Sequence, residues 1–342
     1  MTGFTFSDPY LYDSLGIGGQ PLYVDCASRR DTTSPTCAGL RICVLGSTTY
    51  LELLPTLFPE GILSNLPSLN AVYDALSNGI CNVLAGGVFE IAEQVARSNG
   101  FMGNYSVGNV TLSREPLALA TREDDPSWSD FVNAVLTSLM HAEEKRIGLS
   151  NAIAMGANPE LFGSSFSSMF VHAVMTVGNY GEMYRRHLEP LVPRQRINEI
   201  NNGSEPLIYS YPFGNMLANG REPLPESTLA QVRERGWLQC GVGQLAGFAE
   251  FNTTTQEWSG LDVDVCRAIS AAIFNGIHNN VQFIRVAAPE RFQVLESGQI
   301  DLLTEATTAT LSRDIYQPSV KTGFSFGFTT FFDGLGFGGI PP

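Results

Sequence analysis

Apolar residues follow two spacings along this chain, and the two alternate. Leu238 to Val242 is a short apolar run that reads as a strand. Val263, Cys266, Ile269 and Ile273 then share one face of a helix that Asp262 can cap, and Val281 to Val286 returns to strand. Pro289 opens a helix through Leu295, Gly298 ends it, and Ile300 to Leu303 is the next strand. The order βαβαβ predicts a parallel sheet. The same design precedes it: a strand from Leu40 to Leu45, a helix from Leu66 to Leu76, a stop at Gly79 and a strand from Ile80 to Leu84. The phrase Leu295-Glu296-Ser297-Gly298-Gln299-Ile300-Asp301 echoes Leu76-Ser77-Asn78-Gly79-Ile80-Cys81-Asn82, so two similar α/β lobes are expected. Helices are predicted between them at Trp128 to Arg146 and Ser168 to His187. The Pro/Asn/Gly-rich stretch from Pro190 to Pro225 reads as a linker.

A second pattern runs over the whole length. Residues 2–19 recur as residues 322–339, with nine of eighteen positions identical and no gap. A self-similarity with a period of 320 residues suggests one unit of a tandem array, or a permuted fold whose seam is duplicated.

With 342 residues the chain can bury a core of two lobes. Its 34 acidic and 20 basic residues give a net charge of -14, which repels phosphate backbones and argues against nucleic acid. No apolar run reaches the roughly 20 residues that span a bilayer. Residues 1–12 lack the features of a signal peptide, so an export signal is expected upstream. The six cysteines fall into near pairs, Cys26 with Cys37, Cys43 with Cys81 and Cys240 with Cys266, and disulfides are the better reading. The loop holding the first pair is too polar to be a buried site for free thiols. No CxxC and only four scattered histidines, His141, His172, His187 and His278, speak against a metal site. Asn104, Asn109, Asn202 and Asn252 head Asn-x-Ser/Thr sequons, which lean toward secretion.

Several words are more specific. Cys240-Gly241-Val242, the run from Trp258 to Ala268, Arg291-Phe292, Ser297-Gly298, Thr307-Thr308 and Ser312-Arg313-Asp314 closely resemble the first lobe of bacterial periplasmic general L-amino-acid-binding proteins. These are family 3 solute-binding proteins of ABC transporters. Residues 40–147 resemble the second lobe through Cys43-Val44, Ser47-Thr48-Thr49, Gly79-Ile80-Cys81 and Glu115-Pro116-Leu117. Val177-Gly178-Asn179-Tyr180-Gly181-Glu182 resembles the C-terminal segment, which in the family packs back on the first lobe. The resemblance implies an α/β, two-lobe periplasmic-binding-protein type II (venus-flytrap) fold.

The order differs from the family's, so the fold is expected to be circularly permuted. Residues 1–19 would be one hinge-strand copy, 20–121 lobe 2, 122–213 the helices on lobe 1, 214–225 a linker, 226–321 lobe 1 and 322–342 a second hinge copy. Two copies would compete for one slot. The losing copy would dangle or pair with a neighbour, as a domain-swapped oligomer or a tandem array.

The pocket implied by the resemblance suits a free amino acid. Arg313 stands where the family's carboxylate-binding arginine stands, a guanidinium fork for a carboxylate. Thr308 matches a hydroxyl and amide donor, Thr48 and Thr49 match a Thr-Thr pair at a helix N-terminus, and Phe248 matches the aromatic cover. One departure stands out: the acid that would hold the ammonium is replaced by Gly87. Glu90 or Glu305 would substitute, the ligand would lack an amine, or binding would be lost. The resulting expectation is a secreted or periplasmic solute-binding module closing over an amino acid or other small carboxylate, with a permease or receptor as partner and no cofactor. The rival is a degenerate interaction module of a tandem protein. A dehydratase-like enzyme would need Glu305 as general acid/base, and no catalysis is predicted.

Overall fold

The computed structural model describes residues 4–7, 9–122, 124–155, 162–200, 227–308 and 325–337, with the backbone alone for 4–6, 60 and 325–337. The linker expected at 214–225 and Arg313 lie outside the described residues. In chain order the first elements are β1 (Phe4–Phe6), β2 (Tyr10–Gly19), α1 (Pro21–Ser28), β3 (Ile42–Leu45), α2 (Thr49–Leu57), β4 (Leu63–Leu66), α3 (Leu69–Ser77) and β5 (Val83–Gly87). Next come α4 (Glu93–Ser98), β6 (Ser106–Val107), β7 (Arg114–Arg122), α5 (Pro126–Glu144), α6 (Met169–Val177), α7 (Tyr180–His187) and α8 (Thr228–Arg235). The last are β8 (Leu238–Val242), β9 (Glu250–Asn252), β10 (Glu257–Ser259), α9 (Leu261–Ile273), β11 (Val281–Arg285), α10 (Arg291–Glu296), β12 (Leu302–Leu303) and β13 (Ser325–Phe337). The chain divides into two compact units, unit 1 from Met1–Leu11 and Leu117–Phe331 and unit 2 from Tyr12–Pro116 and Phe332–Pro342.

In unit 1 the strands run in the order β11-β8-β12-β7-β1-β13. β8 pairs in parallel with β11, Leu238 opposite Val281, and with β12, Leu302 opposite Cys240. That is the parallel sheet the βαβαβ order demands. Helix α9 is buried along nearly its whole length and packs on α6, and the Cys240–Cys266 disulfide ties it to β8. Its start differs from the sequence expectation, because Gly260 and not Asp262 is the N-cap. Gly260 has φ +134, and any side chain there would collide with the Phe248 carbonyl. The close approach lets the carbonyls of Gly247 and Phe248 accept from the N–H groups of Leu261 and Asp262, both at 2.9 Å. Backbone therefore caps the helix, and the Asp262 side chain is left to turn inward.

The helix expected over Ser168 to His187 is two helices, because Gly178 adopts φ +82 and breaks it. Asn179 restarts it with a capping box, in which its side chain accepts from Glu182 N–H while Glu182 accepts from Asn179 N–H, both at 2.9 Å. Helix α7 docks on α9 through Asp264, which accepts from Arg186 and lies 2.8 Å from His187 Nε2. Burial works to raise the Asp264 carboxyl, but these partners outweigh it and hold the group below its ordinary value.

The duplicated segments settle side by side. β1 pairs with β13 in parallel, Thr5 opposite Ser325 and Phe6 opposite Phe326, so each residue faces its own counterpart 320 positions on. β7 covers the other edge of β1. Displacement of one copy by the other is therefore not what is seen, because a sheet adds a strand wherever an edge offers unpaired N–H and C=O groups.

In unit 2 β3 lies between β4 and β5, parallel to both, and β2 runs antiparallel to β5 with Leu15 opposite Gly87. β5 begins at Val83, later than the strand expected from Ile80. Ile80 is 55% exposed, and Asn82 turns its amide to Gly39 O and Arg41 N instead of extending the ladder. Likewise α3 begins after Leu66, which belongs to β4, and Ser68 caps it by accepting from Ala71 N–H at 3.2 Å.

All three expected cysteine pairs are bonded. Contrary to expectation, Cys26 and Cys37 are buried, in the core with Val24, Ala27 and Leu40. Both cysteines point into this core while Asp25, Arg29, Arg30 and Thr36 stay exposed around them. The Cys43–Cys81 bond closes the longest loop, at a separation of 38 residues. Replacing both cysteines with alanine is expected to lower unfolding free energy by about 2–4 kcal/mol in urea titrations under oxidising conditions.

Candidate functional site

In unit 1 the segment from Thr304 to Thr308 carries two of the expected site residues, and it is fixed at several backbone points. Thr304 N–H donates to Gly241 O at 3.0 Å, Ala118 N–H donates to Thr307 O at 3.3 Å, and Thr308 bridges to Leu117. Glu305 sits over Gly243, where a Cβ would lie 2.5 Å from Glu305 Cγ, so glycine there makes room for it. Its Oε2 is 3.3 Å from Arg291 Nη1, and both side chains are largely buried. Phe248 is fully buried in the turn that caps α9.

Asp262 lies beneath this segment. It is 1% exposed, accepts from the Tyr10 hydroxyl at 2.9 Å and accepts from Ala306 N–H at 3.3 Å. Burial pushes its carboxyl up to about 7; the two donors work against that, and the nearby Glu305 adds to it. Tyr10 is itself anchored, since its carbonyl accepts from the Tyr180 hydroxyl at 2.6 Å. Nothing in the sequence marks Tyr10 for this role, since Tyr10 against Thr330 is one of nine positions at which the two copies differ.

In unit 2 Thr48 is the N-cap residue of α2 and Thr49 its first residue, as expected. Neither hydroxyl caps the helix. Thr48 donates to Leu45 O at 2.8 Å, and Thr49 donates to Glu115 Oε2 at 3.0 Å, while Ser113 donates to Glu115 Oε1 at 2.6 Å. Glu115 is thus a buried acceptor that sequence reasoning passed over. Glu90 folds back on the end of β5 and accepts from Gly87 N–H at 2.9 Å; a Cβ on Gly86 would lie 2.6 Å from its Oε2. Asp13 accepts from Val88 N–H at 3.1 Å and from Ser14 N–H at 2.7 Å. Two carboxylates therefore hold the backbone of the turn that contains Gly87.

Residues 240–317 match the model of bacterial extracellular solute-binding proteins, family 3. This part of the chain is similar to family 3 solute-binding proteins. The matched stretch holds Phe248, Asp262, Arg291, Glu305, Thr308 and Arg313. The chain is 40% identical over 123 residues to the general L-amino acid-binding periplasmic protein AapJ of Rhizobium johnstonii, covering 36% of this chain and 34% of that protein. It is 36% identical over 112 residues to the glutamate/glutamine/aspartate/asparagine-binding protein BztA of Rhodobacter capsulatus, 32% of this chain and 31% of that one. The chain spans about a third of the length of the curated relatives it matches. Among solved structures, a periplasmic binding protein from Brucella ovis with glutathione bound is 20% identical, with a TM-score of 0.45 over 61% of this chain and 70% of that one. The family 3 relatives are binding proteins and not enzymes. Among the described residues no helix is long and apolar enough to cross a membrane.

Asp262 makes stability depend on pH. Its carboxyl is neutral in the folded state below about 7, whereas in the unfolded chain it ionises near 3.8. The stability tied to its neutral form is full below about 3.8 and is lost as pH rises to about 7. Asp262→Asn is therefore expected to gain on the wild type between pH 4 and 7, with the gap level above that, in denaturant titrations at pH 4, 5.5 and 7.5.

Proposed function

We propose that this chain is a solute-binding module for an amino acid or other small carboxylate, acting outside the cytoplasm with a membrane permease. The family 3 segment in unit 1 is the observation that carries the reading, since it brings Arg313, Thr308, Glu305 and Phe248 into one matched stretch. Arg313 takes the solute carboxylate as a guanidinium fork, with Thr308 as a further donor. Glu305 takes the ammonium. Glu90 is the weaker substitute, because its Oε2 already accepts from Gly87 N–H. Phe248 lines the apolar side.

The absence of an acid at Gly87 supports one rival, an interaction module of a tandem protein that no longer takes solute. Thermal-shift measurements against the twenty amino acids and simple amine-free carboxylates separate the two. The expected result is a shift with amino acids that Arg313→Ala weakens by about 10- to 100-fold in affinity, the value of a charge-assisted pair. No shift with any compound, in a folded monodisperse sample, would leave the interaction module as the better reading.

A further inference from the structure

Three ionisable groups meet under the Thr304–Thr308 segment, and their charges do not cancel in a fixed way. Glu305 and Arg291, 3.3 Å apart and largely buried, together carry no net charge. Asp262 faces the Tyr10 hydroxyl from β2, the Ala306 N–H from the segment itself, and Glu305 beside that N–H. Counted over these three side chains, the charge is zero when Asp262 holds a proton and minus one when it does not. A solute ammonium brought to Glu305 calls for that one negative charge, since a neutral ion pair gives a cation little net attraction.

We propose that Asp262 is a positioning residue that supplies this charge from behind Glu305, and that it releases its proton to solvent when an ammonium-bearing solute binds. The proposal rests on the solute-binding reading and deepens it: the favoured class is the α-amino acid, not the amine-free carboxylate. Asp262 does not touch the solute, because it is buried and its two oxygens already accept from Tyr10 and Ala306. The sign follows from the charges. A bound cation favours the ionised acid, so affinity rises with pH through the titration of Asp262, which burial places near neutrality and not near 4. The Tyr10 donor stabilises the ionised form, so Tyr10 sets the midpoint of that rise.

The test is titration calorimetry on the full chain with L-glutamine, then with the other nineteen amino acids, at pH 6, 7 and 8 in two buffers of different ionisation enthalpy. Glutaramate, which lacks the amine, is the control. The expected result is proton release on binding, with affinity rising up to about tenfold per pH unit below the midpoint and levelling above it, and no rise for glutaramate. Tyr10→Phe keeps every charge and should move the rise to higher pH, while Asp262→Asn should abolish both rise and release. A pH-independent affinity, or a rise that survives Asp262→Asn, overturns the proton exchange and leaves the solute-binding reading intact. Should Asp262→Asn fail to fold, an unmoved midpoint in Tyr10→Phe overturns it equally. No heat with any of the twenty amino acids, from a sample folded by circular dichroism, overturns both.

Discussion

A carboxyl group placed inside a protein must find donors there or stay neutral, and much of unit 1 is arranged around that requirement at Asp262. The close approach of Gly260 to the Phe248 carbonyl lets backbone cap α9, which frees Asp262 from the capping task common to acids at helix starts. The freed side chain then gathers Tyr10 from β2 and Ala306 from the segment after β12. Tyr180 in α7 fixes the backbone of Tyr10 in turn. A chain of three polar contacts thus links strand, helix and the Thr304–Thr308 segment, and removing one partner would strand the others away from water.

Two acids two residues apart meet opposite fates on α9. Asp262 and Asp264 are both nearly buried, yet one is raised and the other lowered from the usual carboxylate value. The difference lies in the neighbours: neutral donors and a second acid around Asp262, against Arg186 and His187 around Asp264. One acid serves as a charge reservoir and the other as a fixed anchor for α7.

The strands and helices around β8 were legible in the sequence because a parallel strand buried on both faces reads as a continuous apolar run and its helices show a plain 3.6 period. The break at Gly178 was not, since the apolar spacing continues across it and only the positive φ ends the helix. Thr48 and Thr49 were placed correctly at a helix start, but what their hydroxyls bind depends on Leu45 and on Glu115, 66 residues away. Tyr10 escaped notice for the same reason, because its partner is 252 positions off and nothing local marks a phenol as buried. The cysteine pairs were readable from their spacing, whereas the burial of Cys26 and Cys37 depends on a core that Ile42, Val44 and Val83 bring from elsewhere in the chain.

The pairing of β1 with β13 gives the chain the topology of a lap. Starting at Thr5, the path travels 320 residues and returns to a place one strand spacing away, pointing in the same direction, with Phe326 beside Phe6. A parallel ladder reads only N–H and C=O groups, which are the same in both copies, so the backbone itself cannot distinguish the first pass from the second. Discrimination falls to the nine of eighteen positions where the copies differ. Tyr10 against Thr330 is the sharpest of them, since only the phenol has the reach to address a buried acid. A hydroxyl on a ring is thus one of the labels that tell the two ends apart.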